Sequence, residues 1–275
     1  MAGAASAQQA VTAGQILDRI KEKVGVEWRK ETVDTIKSGD PSTKVTGIAT
    51  TMFATFDVLK RAAAEGKNLV IAHEPTFYSH QDRTEAFSSA NDPVYAEKEK
   101  FIKDHNMVVF RFHDHWHMRR PDGVLEGMTN KLGWQKYQNA SMPSLYQVPE
   151  MTLEALASQM REKLGATTMR VVGNREMKVT KVALSPGAGG SAGHLRWLRR
   201  DDVEVLAIGE VPEWETTAYV ADAAAQGRRK ALILIGHTPS EQAGMENCAE
   251  WLKGFIKEVP VGYVAAAEPF WNPRK

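Results

Sequence analysis

The sequence predicts an α/β protein of two similar α/β domains with mixed, mainly parallel sheets, on three observations. Short apolar runs alternate with segments of helical periodicity, the pattern of parallel strands joined by crossover helices. Three of the runs, NLVIAH, MVVFRFH and KALILIGH, are almost continuously apolar, as strands covered on both faces are. The alternation then restarts past the middle of the chain, and 275 residues suit two modest domains.

The elements follow in order. QILDRIKEKVG has apolar residues at helical spacing, which predicts a helix over 15–24. SGDPST (38–43) is a turn cluster and VTGIATT (45–51) a strand. FDVLKRAAAEGKN reads as a helix stopped by Gly66. NLVIAH (68–73) is a buried strand, 93–105 a helix and MVVFRFH (107–113) a second buried strand. GVLEGMTNKLG is amphipathic and ends on Gly133. The second half offers a helix over 152–165, strands at TMRVV and 179–185, and the glycine loop PGAGGSAG. It continues with the short helix HLRWLRR, a strand over 203–210, a helix over 213–227, the strand KALILIGH (230–237), a long helix and a last strand, VGYVAAA. PSLYQVPE (143–150) is read as the join. The expected domains are 1–140, supplying the strand ends at His73 and His113, and 141–275, with the last helix and strand returning to the first domain at the site.

Composition excludes several classes. A formal net charge of +1 gives no general attraction to nucleic acid or anionic membrane. No apolar run nears the roughly 20 residues that span a bilayer. The single cysteine, Cys248, rules out an internal disulfide and a multi-thiolate metal site, so any metal is held by nitrogen and oxygen. The opening MAGAASAQQA resembles the residues after a signal-peptidase site, so an exported, periplasmic protein is expected; an alanine-rich tail on a cytoplasmic one is the alternative.

Three predicted strands end on histidine, at His73, His113 and His237. In open parallel sheets ligands gather beyond the carboxyl ends of strands. Each histidine has a ligand-type neighbour: Glu74 after His73, His117 four past His113, and Glu241 four past His237. A spacing of four puts two side chains on one helical face. Imidazole with carboxylate suits zinc, iron, manganese or cobalt rather than calcium or magnesium. One strand-terminal histidine is usually structural, and one HxHxH stretch is often a solvated loop; three such endings together favour a metal site. His80 and His105 read as surface residues, His194 beside the glycine loop is ambiguous, and His115 either faces away from the site or acts behind it. The segment HDHWHM lacks the Asp-His ending of the metallo-β-lactamase motif, and it comes too late for the opening strand of an amidohydrolase barrel.

With these segments in order, the chain resembles the dinuclear-metal-centre hexameric proteins, the Nif-three-like or type 2 GTP cyclohydrolase I-like family. NLVIAHEP stands where that family has a strand ending in His-His-Pro, and HDHWH followed by PDGVLEGMTNKLG where it has H-T-x-x-D and a glycine-rich helix start. GAGG, IGE with Glu210, and GHTPSE with His237 and Glu241 complete the set. Two positions depart from the pattern: Glu74 replaces a histidine and His117 an aspartate, so the count stays at four histidines and two carboxylates. The central insertion of some relatives is missing, as in the short form. The resemblance implies two α/β domains, a homohexamer, and two divalent transition-metal ions (Zn, Fe or Mn) on His73, Glu74, His113, His117, His237 and Glu241.

It further implies a metal-dependent hydrolase of a small-molecule phosphoester, amide or ring C–N bond. Two ions about 3.5–4 Å apart would share a water and a bridging carboxylate, for which Glu241 is expected. Glu210 is the candidate proton relay; the bland reading is a helix-capping carboxylate. Arg111, Arg119 and Arg120 would meet substrate anions, or are solvated charge. Trp116 and the FWNPRK tail are read as core or contact residues before stacking groups. A non-catalytic metal-binding or scaffold hexamer is the rival, and dinucleotide binding through the 187–192 loop, with Glu210 about 20 residues on, a lesser one.

Overall fold

The structure, a computed structural model, describes residues 10–273. The opening residues on which the export reading rests lie almost wholly outside that range. In chain order the elements are α1 (Ala13–Lys23), β1 (Ile36–Ser38), β2 (Ile48–Thr51), α2 (Phe56–Ala64), β3 (Leu69–Ala72), α3 (Glu85–Ser89), α4 (Pro93–Asp104), β4 (Val108–Arg111), α5 (Asp114–Met118) and α6 (Gly123–Leu132). Then come β5 (Leu145–Thr152), α7 (Leu153–Leu164), β6 (Arg170–Val172), β7 (Lys178–Ser185), α8 (Ser191–Leu198), β8 (Val205–Ile208), α9 (Ala218–Ala225), β9 (Ala231–Leu234), α10 (His237–Lys253) and β10 (Val261–Tyr263).

The chain divides into two compact units: Met1–Gly123 with Met245–Ala266, and Val124–Gly244 with Ala267–Lys275. The division thus falls nearer residue 123 than 140, and the chain re-enters the first unit late.

The sheet of unit 1 runs β1-β4-β3-β2-β10. β10, β2, β3 and β4 are parallel, and β1 pairs antiparallel with β4 at the edge. Every residue of β2, β3 and β4 is buried, which is why their sequences are continuous rather than alternating. Ala49, Val70, Ala72 and Val109 pack on Val58, Leu59 and Ala62 of α2 and Ile102 of α4. Each fully buried Val, Leu or Ile among them contributes about 1.5–3 kcal/mol. α1 begins with a capping box, Thr12 with Gln15, and buries Ile16, Leu17 and Ile20.

The sheet of unit 2 runs β5-β7-β8-β9-β6, with β7, β8 and β9 parallel and both edges antiparallel. Alternate residues separate its faces. Val182, Leu184, Val205, Ala207, Ala231 and Ile233 pack on the α7 side, with Leu156 and Met160. Ala183, Leu206, Ile208, Leu232 and Leu234 pack on the α8 and α9 side, with Leu198 and Val220. α7 starts at the Thr152 cap and stops at Gly165 in the left-handed conformation.

The stretch read as the join is instead β5, an eight-residue strand on β7. Pro149 hid it. Proline donates no ladder hydrogen bond, and the register shifts between Gln147 and Met151, a disturbance that an edge strand tolerates. β9 ends at Leu234, so His237 is not on the strand but opens α10.

Candidate metal centre

Unit 1 gathers four of the expected ligands beyond β3 and β4. His73 follows β3 and is fully buried, its N–H bonded to Thr51 O. His113 lies two residues past β4, and His117 is one turn on, its N–H donating to His113 O at 3.0 Å. The spacing of four therefore works as a helical spacing and folds the two rings together. Ring centroids lie 4.6 Å apart for His73–His113, 4.9 Å for His73–His117 and 5.0 Å for His113–His117. One ligand nitrogen from each lies within 4.8 Å of the others.

The other ring nitrogens define the chemistry. His73 Nδ1 donates to Phe112 O at 3.1 Å, His113 Nδ1 to Asp114 Oδ1 at 2.9 Å and His117 Nδ1 to Asp122 Oδ2 at 3.0 Å. Each Nδ1 carries the proton, so each Nε2 has the lone pair that a metal needs. Burial, with the neighbouring imidazoles of His117 and His113, pushes the His73 pKa well below its usual value and keeps that ring neutral. Burial would raise the pKa of Asp114, but hydrogen bonds from His113, Thr32 and the Val33 N–H hold it at about 2. The donor set fits a transition metal: three oriented imidazoles with a carboxylate beside them.

That carboxylate is Glu74. Its N–H donates to Met52 O, its Oε2 accepts from Arg111 Nη2 at 3.0 Å, and its Oε1 lies 3.7 Å from His113 Nε2. Arg111, at the end of β4, is completely buried. Besides Glu74 it bonds His73 O and His80 O, and it lies 3.8 Å from Asp82 Oδ2. It therefore ties the β3 end to the turn that follows and is not available to a substrate anion, contrary to the expectation. Arg119 lies 4.8 Å from the Trp116 ring, and Arg120 bonds the carbonyls of His117, Met118 and Arg119. Trp116 is fully buried against Phe112 and Trp251, so it is core rather than a pocket wall.

His115 points away from the three. Its Nδ1 donates to Asp34 Oδ2 at 2.6 Å, its Nε2 accepts from Arg29 N–H at 2.9 Å, and its ring stacks on Trp28 at 3.7 Å. Asp34 also accepts the N–H groups of His113, Asp114 and His115. One buried carboxylate thus caps the whole turn that carries His113 and His117. Asp34 and Asp122 had no role in the sequence reading, and Arg111 was read only as a contact for substrate anions or as solvated charge. Asp34 and Asp122 share no spacing with the ligands, and Arg111 looked like flanking charge. His80, read as a lone surface residue, lies 6.3 Å from the His113 ring.

Unit 2 brings together the other two, His237 and Glu241, with Glu210. His237 opens α10 behind Gly236, whose φ is +101°. Its Nε2 lies 3.1 Å from Glu241 Oε2 and its Nδ1 3.4 Å from Glu210 Oε2. Glu241 is 2% exposed and sits against Gly187, where a Cβ would come within 2.3 Å of Oε1. Glu210 follows β8, half exposed, with its N–H on Gly187 O at 3.0 Å.

The chain matches the family described as Duf34/NIF3 (NGG1p interacting factor 3) over residues 8–268. It is similar to a GTP cyclohydrolase 1 type 2 homolog of Clostridium acetobutylicum, 23% identical over 234 residues, covering 81% of this chain and 82% of that one. Among solved structures it is similar to the hypothetical protein SA1388 of Staphylococcus aureus, with a TM-score of 0.75 at 18% identity, over 96% of this chain and 100% of that chain. A Bacillus cereus protein related to NIF3 gives a TM-score of 0.74 at 13% identity, over 96% and 99%. At these identities the structures speak for the fold.

Proposed function

The chain belongs to the Duf34/NIF3 family, and from that premise we propose that it is a metal-dependent hydrolase of a small-molecule phosphoester, amide or ring C–N bond. The observation that carries the reading is the convergence of three imidazoles in unit 1, each with its Nδ1 tied to an oxygen of the fold. A divalent ion bound there supplies Lewis acidity and brings the water it holds toward a pKa of about 7.

The chain's own residues have separate tasks. His73, His113 and His117 bind, and Phe112 O, Asp114 and Asp122 orient them. Glu74, gripped through Oε2, offers Oε1 beside His113. His237 and Glu241 are proposed as further residues that would hold a metal ion; the family resemblance of GHTPSE supports this. Glu210, facing His237 Nδ1, is proposed to hold and pass a proton. The name of the Clostridium relative supports a ring C–N bond among the substrate classes. A homohexamer is proposed on the resemblance as well.

The test is metal content per chain by plasma mass spectrometry, on the wild type and on Glu241→Ala. About two transition-metal ions, mostly lost in the variant, support the centre and lead to a screen of phosphoesters and amides. No bound metal after gentle purification and re-addition would sink the hydrolase. Tight metal with no turnover on any substrate would favour the storage or scaffold role.

A further inference from the structure

The glycine loop and His194, both in unit 2, have no part in the reading above. Residues 186–190 connect β7 to α8 and are fastened from behind. Gly187 N–H donates to Ser240 Oγ at 3.0 Å, and Glu210 N–H donates to Gly187 O. Gly187 (φ +69°) and Gly190 (φ +71°) take conformations that favour glycine, while Ala188, Gly189 and Gly190 are exposed. α8 has eight residues, and its N-cap, Gly190, brings no side chain to the first-turn N–H groups. Such an end favours anions but does not by itself make a site.

His194 supplies the independent observation. It is 1% exposed, and its Nδ1 is 3.3 Å from Thr216 Oγ1. Its Nε2 has no hydrogen-bond partner among the described residues, and neither has the buried Ser191 Oγ. Burial lowers the pKa of His194, so the ring is neutral; in the tautomer that takes a hydrogen from Thr216 at Nδ1, Nε2 carries the ring hydrogen and can donate. A buried donor without an acceptor is costly, and an anion brought to the loop would satisfy it. A helical side chain leans back toward its N-terminus, and this one reaches the loop. A Cβ on Gly189 would lie 3.1 Å from Nε2 and 2.9 Å from Ser185 Oγ. Gly189, itself exposed, therefore lies against both groups.

We propose that the 186–190 loop, the first turn of α8, Ser191 and His194 bind the phosphoryl group of a small-molecule substrate. The tetrahedral anion accepts from the α8 amides, from Ser191 Oγ and from His194 Nε2, which Gly189 uncovers by a local shift. The loop abuts Glu241 through Gly187. The assignment therefore rests on the metallohydrolase reading and narrows its substrates to phosphorylated compounds.

The experiment titrates inorganic phosphate into the full chain by calorimetry, metal-loaded and chelator-treated, with metal content measured on the same samples. Gly189→Ala places a methyl against Nε2. His194→Asn keeps the Thr216 partner but cannot reach the loop, and His194→Gln restores a donor near the Nε2 position. Expected are phosphate binding by both forms of the wild type, at least tenfold weaker binding in the Ala and Asn variants, recovery in the Gln variant, and the same metal content throughout. Unchanged phosphate affinity in folded Ala and Asn variants that keep their metal overturns the subsite and leaves the metal reading standing. His194-dependent phosphate binding in a chain that never takes up metal overturns the metal reading instead. NADH binding, seen by its fluorescence, that is tighter than phosphate and lost in the Asn variant overturns the small-molecule assignment for a dinucleotide.

Discussion

The two units share one layout and use their strand ends in opposite ways. Both are five-stranded sheets with a parallel centre, edged by an antiparallel strand on one side in unit 1 and on both sides in unit 2. In unit 1 the strands lead into histidines held by buried ionic partners, Asp34 and Arg111. In unit 2 they lead into glycines: Gly187 after β7, Gly209 after β8 and Gly236 after β9. There, missing side chains let the loops close together. A Cβ on Gly209 would come within 2.5 Å of Gly187 O, and one on Gly187 within 2.3 Å of Glu241 Oε1. One unit aims its polar groups with hydrogen bonds, the other by close backbone approach. The same architecture therefore fails differently under mutation.

The largest effect is expected at Asp34→Ala. It leaves three backbone donors and His115 Nδ1 without their acceptor in a buried site. Unit 1 should lose about 3–5 kcal/mol in urea unfolding, together with any metal that its three histidines take up. A loss under 1 kcal/mol would show that the cap is not what supports the histidine turn.

Unit 2 is probed with Gly187→Ala against Gly190→Ala. Both positions have positive φ, so each variant should lose about 1–2 kcal/mol in thermal unfolding. Only Gly187 meets the Glu241 carboxylate, whereas nothing lies within 4 Å of a Cβ on Gly190. Only Gly187→Ala should therefore lower metal content. Equal metal loss in both would erase the distinction between close approach and backbone strain.

Next comes the orientation of the ligands. Asp122→Ala removes the acceptor of His117 Nδ1 and should weaken metal binding about 10–100-fold in competition with a chelator, with little change in stability. His115→Ala should do the reverse, since that ring faces Trp28 and Asp34. If His115→Ala lost metal as readily as stability, the inward and outward assignment would be wrong.

The smallest effect concerns Lys98, buried in unit 1 with its amine on Thr76 O. Burial lowers its pKa from the usual 10.5 to about 8. Between those values the folded chain has given up a proton that the unfolded chain keeps, so stability rises with pH. As the pH falls through about 8 the charged amine returns and that contribution is lost. The wild type should gain on Lys98→Met by something on the order of 1 kcal/mol between pH 7.5 and 10 in urea unfolding. A flat difference would place the amine in contact with solvent.

Much of this was legible in the residue order. Continuous apolar runs announced β3, β4 and β9, because a strand covered on both faces leaves no room for polar alternation. His73, Glu74, His113, His117, His237 and Glu241 stood out because each adjoins a strand end or keeps a spacing of four. Helical spacing also accounts for His113 and His117 meeting while His115 turns away. β5 was missed because Pro149 reads as a break, and an edge strand carries a weaker pattern.

The sequence by itself determined the α/β class, the order of the elements and the ligand-type residues at their ends. These depend on local periodicity and on nearest neighbours along the chain. Only the tertiary structure decided which ring nitrogen of each histidine is tied to an oxygen of the fold, that Arg111 is an internal tie rather than a substrate contact, and that Asp34 caps a turn about 80 residues away. Hydrogen bonds between distant segments leave no period in a sequence. Their partners become neighbours only once burial of the apolar strands has brought the polar groups out of water and made each of them need one.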